Sequence, residues 1–163
     1  MTTADRGEFE IRTVTRDDVP GVVAVVREVL SEHGLEFGAG APTDTALLEL
    51  PETYTARGGA FWIVLDRGAV VGTCGIARVD DETFELRKMY LLPVTRGQGL
   101  GRELLERAID HARAAKAKRV VLDTTERMQR AIALYEANGF VRDDRYITAS
   151  RCSRGYVRVV DPA

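Results

Sequence analysis

Apolar residues recur along this 163-residue chain in two rhythms, and the rhythms divide it into elements. Phe9 to Val14 reads as a short strand. Val19, Val22, Val23, Val26 and Leu30 then fall at helical spacing, with Thr15 placed as an N-cap and Asp17 and Asp18 in the first turn, where carboxylates suit the helix dipole. His33-Gly34 ends that helix, and EFGAGAPTD (36–44) is a Gly/Pro/Asp loop with little to pack. A second short helix is predicted from Thr45 to Ala56, interrupted by Pro51. AFWIVLD and AVVGTCGIARV are β-branched and aromatic, which favours strand, and Arg67-Gly68 between them suits a tight hairpin.

Strict alternation over TFELRKMYLL puts Thr83, Glu85, Arg87, Met89 and Leu91 on one strand face and Phe84, Leu86, Lys88, Tyr90 and Leu92 on the other; Pro93 stops the strand. The clearest helix follows, with an apolar stripe of Leu100, Leu104, Leu105, Ala108, Ile109, Ala112 and Ala115 and a Glu103-to-Arg107 pair at i,i+4. RVVLDTT is a short buried strand. A last helix carries Met128, Ala131, Ile132, Leu134 and Tyr135, and Asn138-Gly139 caps it with Phe140 folding back. VRDDRYITA and GYVRVV are read as two closing strands. No repeat or linker interrupts this order, so the expectation is one α/β (α+β) domain over residues 1–163.

Composition narrows the function classes. Hydrophobic residues at 45% and charged residues at 29% suit a soluble globular protein, and a net charge of −2 argues against nucleic acid or an anionic membrane as partner. No apolar run reaches the length of a membrane span, and MTTADRGEFE lacks the basic-then-apolar pattern of a signal peptide, so a cytoplasmic protein is expected. Cys74 and Cys152 are far apart and outside any CxxC pair. With only two histidines, reduced thiols and no metal site are expected.

The candidate chemistry lies in RGQGLG, residues 96–101, between the alternating strand and the leucine helix. Helix N-termini carry N–H groups without partners and favour anions, and glycines let a charged ligand reach the main chain. A P-loop would need GxxxxGK[ST], which is absent. A dinucleotide fingerprint counted from Gly97 would need glycine where Arg102 stands. The stretch is therefore either a phosphate or pyrophosphate cradle of another kind or a tight strand-to-helix connection.

R-x-x-G-x-G, as Arg96-Gly97-Gln98-Gly99-Leu100-Gly101, resembles the acetyl-CoA pyrophosphate motif of the GNAT superfamily of N-acetyltransferases. ELRKMYLLPVTRGQGLGRELLERA is similar to that family's core strand, turn and helix, and AIALYEANGF to its second recurrent motif. The likeness runs from Glu85 to Phe140 and weakens before Phe61, in the part that usually helps define the acceptor. It implies a twisted, mixed β-sheet flanked by helices, with a splay between the strand ending near Leu92 and the strand at Arg119–Leu122. It implies acetyl-CoA as acyl donor, with its pantetheine arm beside the backbone of Met89, Tyr90 and Leu91. The pyrophosphate is then expected on the amides from Gly97 to Arg102, behind Arg96. Many family members carry an asparagine where this chain has Met128, so here that position is expected to give apolar contact and no amide hydrogen bond.

The implied reaction moves an acetyl group to a primary amine of a small molecule, amino acid or peptide by direct attack in a ternary complex. Such an amine is mostly protonated at neutral pH, so a base must take its proton, a donor must hold the oxyanion, and an acid can protonate the leaving thiolate. Glu85 is the candidate base or else a structural carboxylate paired with Arg87 or Arg78. Tyr135 is the candidate acid or else a buried aromatic at a helix end. The Leu91 N–H is the candidate oxyanion donor. Arg113, Lys116, Lys118 and Arg119 read as a solvated helix end, with a minor alternative of one reaching the cofactor 3′-phosphate. His33 reads as a loop residue or an acceptor-pocket residue, Trp62 as core, and Cys74 as a small apolar filler. The Gly155-Tyr156 strand is a dimer edge or a pocket wall, with monomer and homodimer both open. A non-catalytic acyl-CoA-binding module is the alternative function, and a nucleotide-binding protein is disfavoured by the failed fingerprints.

Overall fold

A computed structural model of the chain describes residues 8–39 and 42–161. Gly40 and Ala41 of the predicted loop, and the N-terminal residues 1–7 from which the absence of a signal peptide was read, lie outside the described residues. Seven strands, β1 (Phe9–Thr13), β2 (Ala60–Asp66), β3 (Ala69–Arg78), β4 (Thr83–Leu91), β5 (Arg119–Thr124), β6 (Val141–Arg142) and β7 (Arg154–Val159), form one mixed sheet in the order β1-β2-β3-β4-β5-β7-β6. Four helices flank it: α1 (Val19–Glu32), α2 (Glu52–Thr55), α3 (Leu100–Ala114) and α4 (Gln129–Ala137). β2 and β3 meet in a two-residue turn in which Arg67 and Gly68 both have positive φ (51° and 84°), the backbone twist that a tight hairpin needs.

The sheet separates two apolar layers. On one face α3 buries Leu100, Leu104, Leu105, Ala108, Ile109 and Ala112 against Trp62, Cys74, Ile76, Phe84 and Leu86, joined by Ile132 and Tyr135 of α4. On the other, Val22, Val25, Val26, Val29 and Leu30 of α1 pack with Leu47, Leu50, Tyr54, Phe61 and Ile63. The α1 stripe is thus rotated from the expected one: Val25 and Val29 are buried, while Val19 and Val23 are only partly covered. The helix is pressed between the sheet and residues 42–50, so its covered arc is wider than periodicity alone indicates. The predicted helix from Thr45 to Ala56 is instead a 3-10 segment (Pro42–Glu49) and the single-turn α2, separated by a cis Leu50–Pro51 bond.

Two other expectations need correction. The first closing strand contracts to β6, because a 3-10 turn at Asp144–Tyr146 intervenes and the Asp143 carboxylate accepts the Arg145 N–H at 3.1 Å. The Gly155-Tyr156 strand is not an edge: β7 lies between β5 and β6, and Tyr156 is fully buried with its hydroxyl donating to Glu136 at 2.9 Å.

The strict alternation of β4 also fails. Tyr90 pairs with Thr73 and Arg87 with Gly75, so Lys88 and Met89 together face the single residue Cys74. This is a β-bulge, with Lys88 at φ 55°. One extra residue exchanges the faces beyond it. Met89 and Leu91 therefore turn toward α3 with Phe84 and Leu86, while Tyr90 joins the opposite layer. Glu85 does not share a strand face with Met89 and Leu91. The expected splay is present: β4 and β5 pair in parallel only at Thr83↔Arg119, Phe84↔Val120 and Glu85↔Val121, after which Leu122, Asp123 and Thr124 pair with β7 alone.

Candidate functional site

The glycine turn stands where β4 hands over to α3. Gly97 (φ 76°) and Gly99 (φ 72°) adopt left-handed conformations that only glycine takes at little cost, and Gly99 is the N-cap of α3. Gly101 has a different reason: a Cβ there would come within 3.2 Å of Leu91 Cδ1 and 3.3 Å of Leu134 Cδ2. Helical geometry leaves the N–H groups of Leu100, Gly101 and Arg102 without carbonyl partners inside the helix. They open onto a groove of about 700 Å³. Its lining includes Met89, Tyr90, Leu91, Arg96, Gly97, Gly99, Leu100, Gly101, Arg102 and Met128. Of the cofactor-binding candidates, Gln98 and Tyr135 are not in this lining. Arg127 and Arg130 are, and the sequence reading missed both. Arg127 is anchored, donating from Nη1 to the His33 carbonyl at 3.0 Å and so tying the start of α4 to the end of α1.

One backbone donor of β4 faces the splay. The Leu92 N–H donates to Val71 O at 2.9 Å, so the alternation of an antiparallel ladder turns the Leu91 N–H away from β3 and toward β5. On the β3 side, the bulge takes the Lys88 carbonyl out of the ladder, and the Thr73 hydroxyl donates to it at 2.7 Å. Tyr90 and Met128 belong both to the groove and to a second cavity of about 340 Å³, as does Met89. The splay thus opens from one into the other.

Glu85, Arg87, Lys88, Asp123, Thr124, Thr125, Tyr135 and Arg151 are among the residues lining the second cavity. Glu85 is buried and ion-paired with Arg87, as the structural reading expects, yet it is also in the cavity wall. Tyr135 packs against Phe140 and Tyr156, and burial pushes its phenol well above the ordinary value, so its proton is held at neutral pH. Tyr90 is likewise pushed up to about 12 by burial. Asp123 accepts the Thr148 and Ala149 N–H groups at 2.7 and 2.9 Å, which fixes the 148–152 loop over β5. The largest omission of the sequence reading is Asp44. It is fully buried and joined to Lys88 and Arg151. Three residues so far apart in the chain leave no spacing pattern to detect.

Other candidates fall elsewhere. Arg113 pairs with Asp110 and Lys118 with Glu82, while Arg119 donates to the Thr83 hydroxyl; all stand at the far end of α3 from Gly99. His33 caps α1, contacts the Val29 carbonyl at 2.9 Å and lines the groove, not the second cavity. Cys74 is fully buried in the core, and burial raises its thiol pKa. Among the described residues, no cluster of His, Cys, Asp and Glu forms a metal site and no helix is long and apolar enough to cross a membrane.

The chain is similar in sequence and fold to known acetyltransferases. The family model described as "Acetyltransferase (GNAT) family" matches residues 26–140. The uncharacterized N-acetyltransferase YjgM of Escherichia coli (strain K12) is 41% identical, covering 82% of this chain and 83% of its own length. The chain spans about half the length of the mammalian N-acetyltransferase family 8 relatives that it also matches. An acetyltransferase from Streptococcus agalactiae 2603 superposes with a TM-score of 0.85 at 31% identity over 94% of this chain and 99% of that one. The PaiA N-acetyltransferase of Thermoplasma acidophilum, crystallised in complex with coenzyme A, shares the fold with a TM-score of 0.74 at 18% identity over 93% of this chain and 99% of that one. A glycine-capped helix beside a splayed strand pair, matched by that family model over residues 26–140, identifies the chain as a member of the acetyltransferase (GNAT) family of acyltransferases.

Proposed function

We propose that the protein is an acetyl-CoA-dependent N-acetyltransferase that acetylates a primary amine by direct attack in a ternary complex. One observation carries the reading: the groove at the N-terminus of α3 and the cavity lined by Glu85 and Tyr135 meet at Met89, Tyr90 and Met128. Two substrates entering from opposite sides would meet there. The positive-φ glycines and first-turn amides of α3 suit a pyrophosphate, and nothing lies within 4 Å of the space beside Gly97. Arg96 and Arg102 line the same groove and add positive charge. The Leu91 N–H suits a pantetheine amide or the developing oxyanion. Met128 gives this arm apolar contact. When bound, acetyl-CoA supplies an activated thioester.

Glu85 receives the proton that the attacking amine sheds, directly or through water, as the new C–N bond forms. Tyr135 donates its phenolic proton to sulfur as the C–S bond breaks. Burial disfavours the Tyr135 phenolate, so the residue is protonated at neutral pH and available as a donor.

Thermal denaturation with acetyl-CoA and with ATP tests the groove, and CoA thiol release with a panel of amines tests the chemistry. Acetyl-CoA is expected to raise Tm by several degrees, ATP is not, and thiol release is expected to depend on the amine. Equal shifts with both ligands would count against the cradle. A shift with acetyl-CoA but no amine-dependent thiol release would leave a binding module instead of an enzyme.

A further inference from the structure

Charge is unevenly distributed in the wall of the second cavity. Arg87 is neutralised by Glu85. Among the described residues, Lys88 and Arg151 share one ion-paired carboxylate, Asp44, which is fully buried and outside the cavity lining. Both of its oxygens are engaged: Oδ1 accepts Lys88 Nζ and Arg151 Nη2 (3.0 Å), and Oδ2 accepts Arg151 Nη1 (2.8 Å) and the Gly38 N–H (2.6 Å). Two cations on one saturated carboxylate leave a formal excess of one positive charge. The Lys88 side chain is only 3% exposed and that of Arg151 11%, so water screens this excess poorly. Burial lowers the Lys88 pKa, Arg151 and Arg87 push it the same way, and Asp44 alone opposes them. Two buried cations sharing one carboxylate keep hydrogen-bonding capacity that an anion entering the cavity can use. Asp123 on β5 is a further carboxylate of the same wall, so the charges of the cavity and its Asp44 clamp sum to zero and the site is dipolar, a match for a zwitterion.

The geometry points to an acceptor amine that also carries a carboxylate. Resting on the acetyltransferase reading above, we infer that Arg151 and Lys88 hold that carboxylate while the ammonium faces Glu85 and Asp123. A cavity of about 340 Å³ is at the small end for ligand sites and suits a compound of amino-acid size. A polyamine or aminoglycoside would instead bring a second positive charge against Lys88 and Arg151.

The test measures CoA thiol release with L-amino acids, with dipeptides, with the amide of each amino acid, and with spermidine and kanamycin. Amidation removes a negative charge that stabilises the ammonium, so the amides offer more neutral amine at pH 7. Intrinsic reactivity therefore runs against the proposal, and a kcat/KM about tenfold or more higher for carboxylate forms supports it. The amino-acid and dipeptide arms tell a free amino acid from a peptide carboxylate. Arg151→Met is expected to raise acceptor KM by about 10–100-fold, the loss of hydrogen bonds between charged groups. The Tm rise with acetyl-CoA is expected to persist, and Arg151→Lys to recover part of the loss. If Arg151→Met does not fold, the wild-type panel decides alone. Amides or polyamines used as well as the amino acids, or no carboxylate-bearing acceptor used at all, overturns the substrate class while an acetyl-CoA Tm rise keeps the cofactor reading standing. Absence of that rise overturns both.

Discussion

Gly97, Gly99 and Gly101 are spaced evenly in the sequence but are glycine for unlike reasons. The first two hold φ near +75°, where an L-residue loses about 1–2 kcal/mol, and the third lets α3 approach Leu91 and Leu134. Gly99→Glu adds a carboxylate at the proposed pyrophosphate site as well as backbone strain. It is expected to abolish the Tm rise with acetyl-CoA, whereas Gly68→Glu, also at positive φ but in the β2–β3 turn, is expected to keep it. Asp18 makes a second residue-scale case. Arg12 donates to its two oxygens at 2.8 and 3.0 Å and the Thr15 N–H at 2.7 Å, which lowers its pKa from 3.8 to about 2 against the opposing effect of burial. A depressed carboxylate pKa contributes stability above the unfolded value, and that stability is lost as pH falls through the folded one. Wild type is therefore expected to lose Tm between pH 3.8 and about 2, and Asp18→Asn to start lower at pH 7 and decline less across that window. That a helix starts here was legible from residue type, but Thr15 caps a 3-10 turn (Arg16–Asp18) that holds Asp17 and Asp18, and α1 itself begins after Asp18 as its N-cap. Arg12 as the partner of Asp18 was not legible, because six residues of separation fit neither a helix nor a strand rule.

Helices α3 and α4 are strongly marked in the sequence, since an apolar stripe and a Gly139 stop encode them locally. β4 is not, because alternation cannot reveal where a strand takes in an extra residue. The bulge at Lys88 depends on register with β3, a long-range property, and it decides which side chains of β4 face α3. Its support is also non-local: the Thr73 hydroxyl satisfies the Lys88 carbonyl in a fully buried setting. Thr73→Val would orphan that carbonyl. A loss of about 1–3 kcal/mol is expected in urea unfolding, with a lower kcat from displacement of Met89 and Leu91. An unchanged urea midpoint would mean that the bulge needs no such support.

Across the whole molecule, Asp44 joins three segments that local rules treat as separate loops: residues 36–44, the β4 bulge, and the stretch between β6 and β7. Asp44→Asn would leave two buried cations without their counter-charge. The expected cost is about 3–5 kcal/mol, or about 6–20 °C in Tm by calorimetry for a domain of this size. A change within 2 °C would show the clamp to be dispensable. The seven-stranded order is itself only partly encoded in element pattern, since insertion of β7 between β5 and β6 rests on pairings distant in sequence. A strand edge on a protein's exterior is a template for aggregation, which folds blunt with charge, bulges or short length. With only three rungs joining β4 to β5, this fold keeps two such edges open toward each other inside the molecule, roofed by helices. Another sheet is too thick to reach them; a single slender chain bearing its own amides is not.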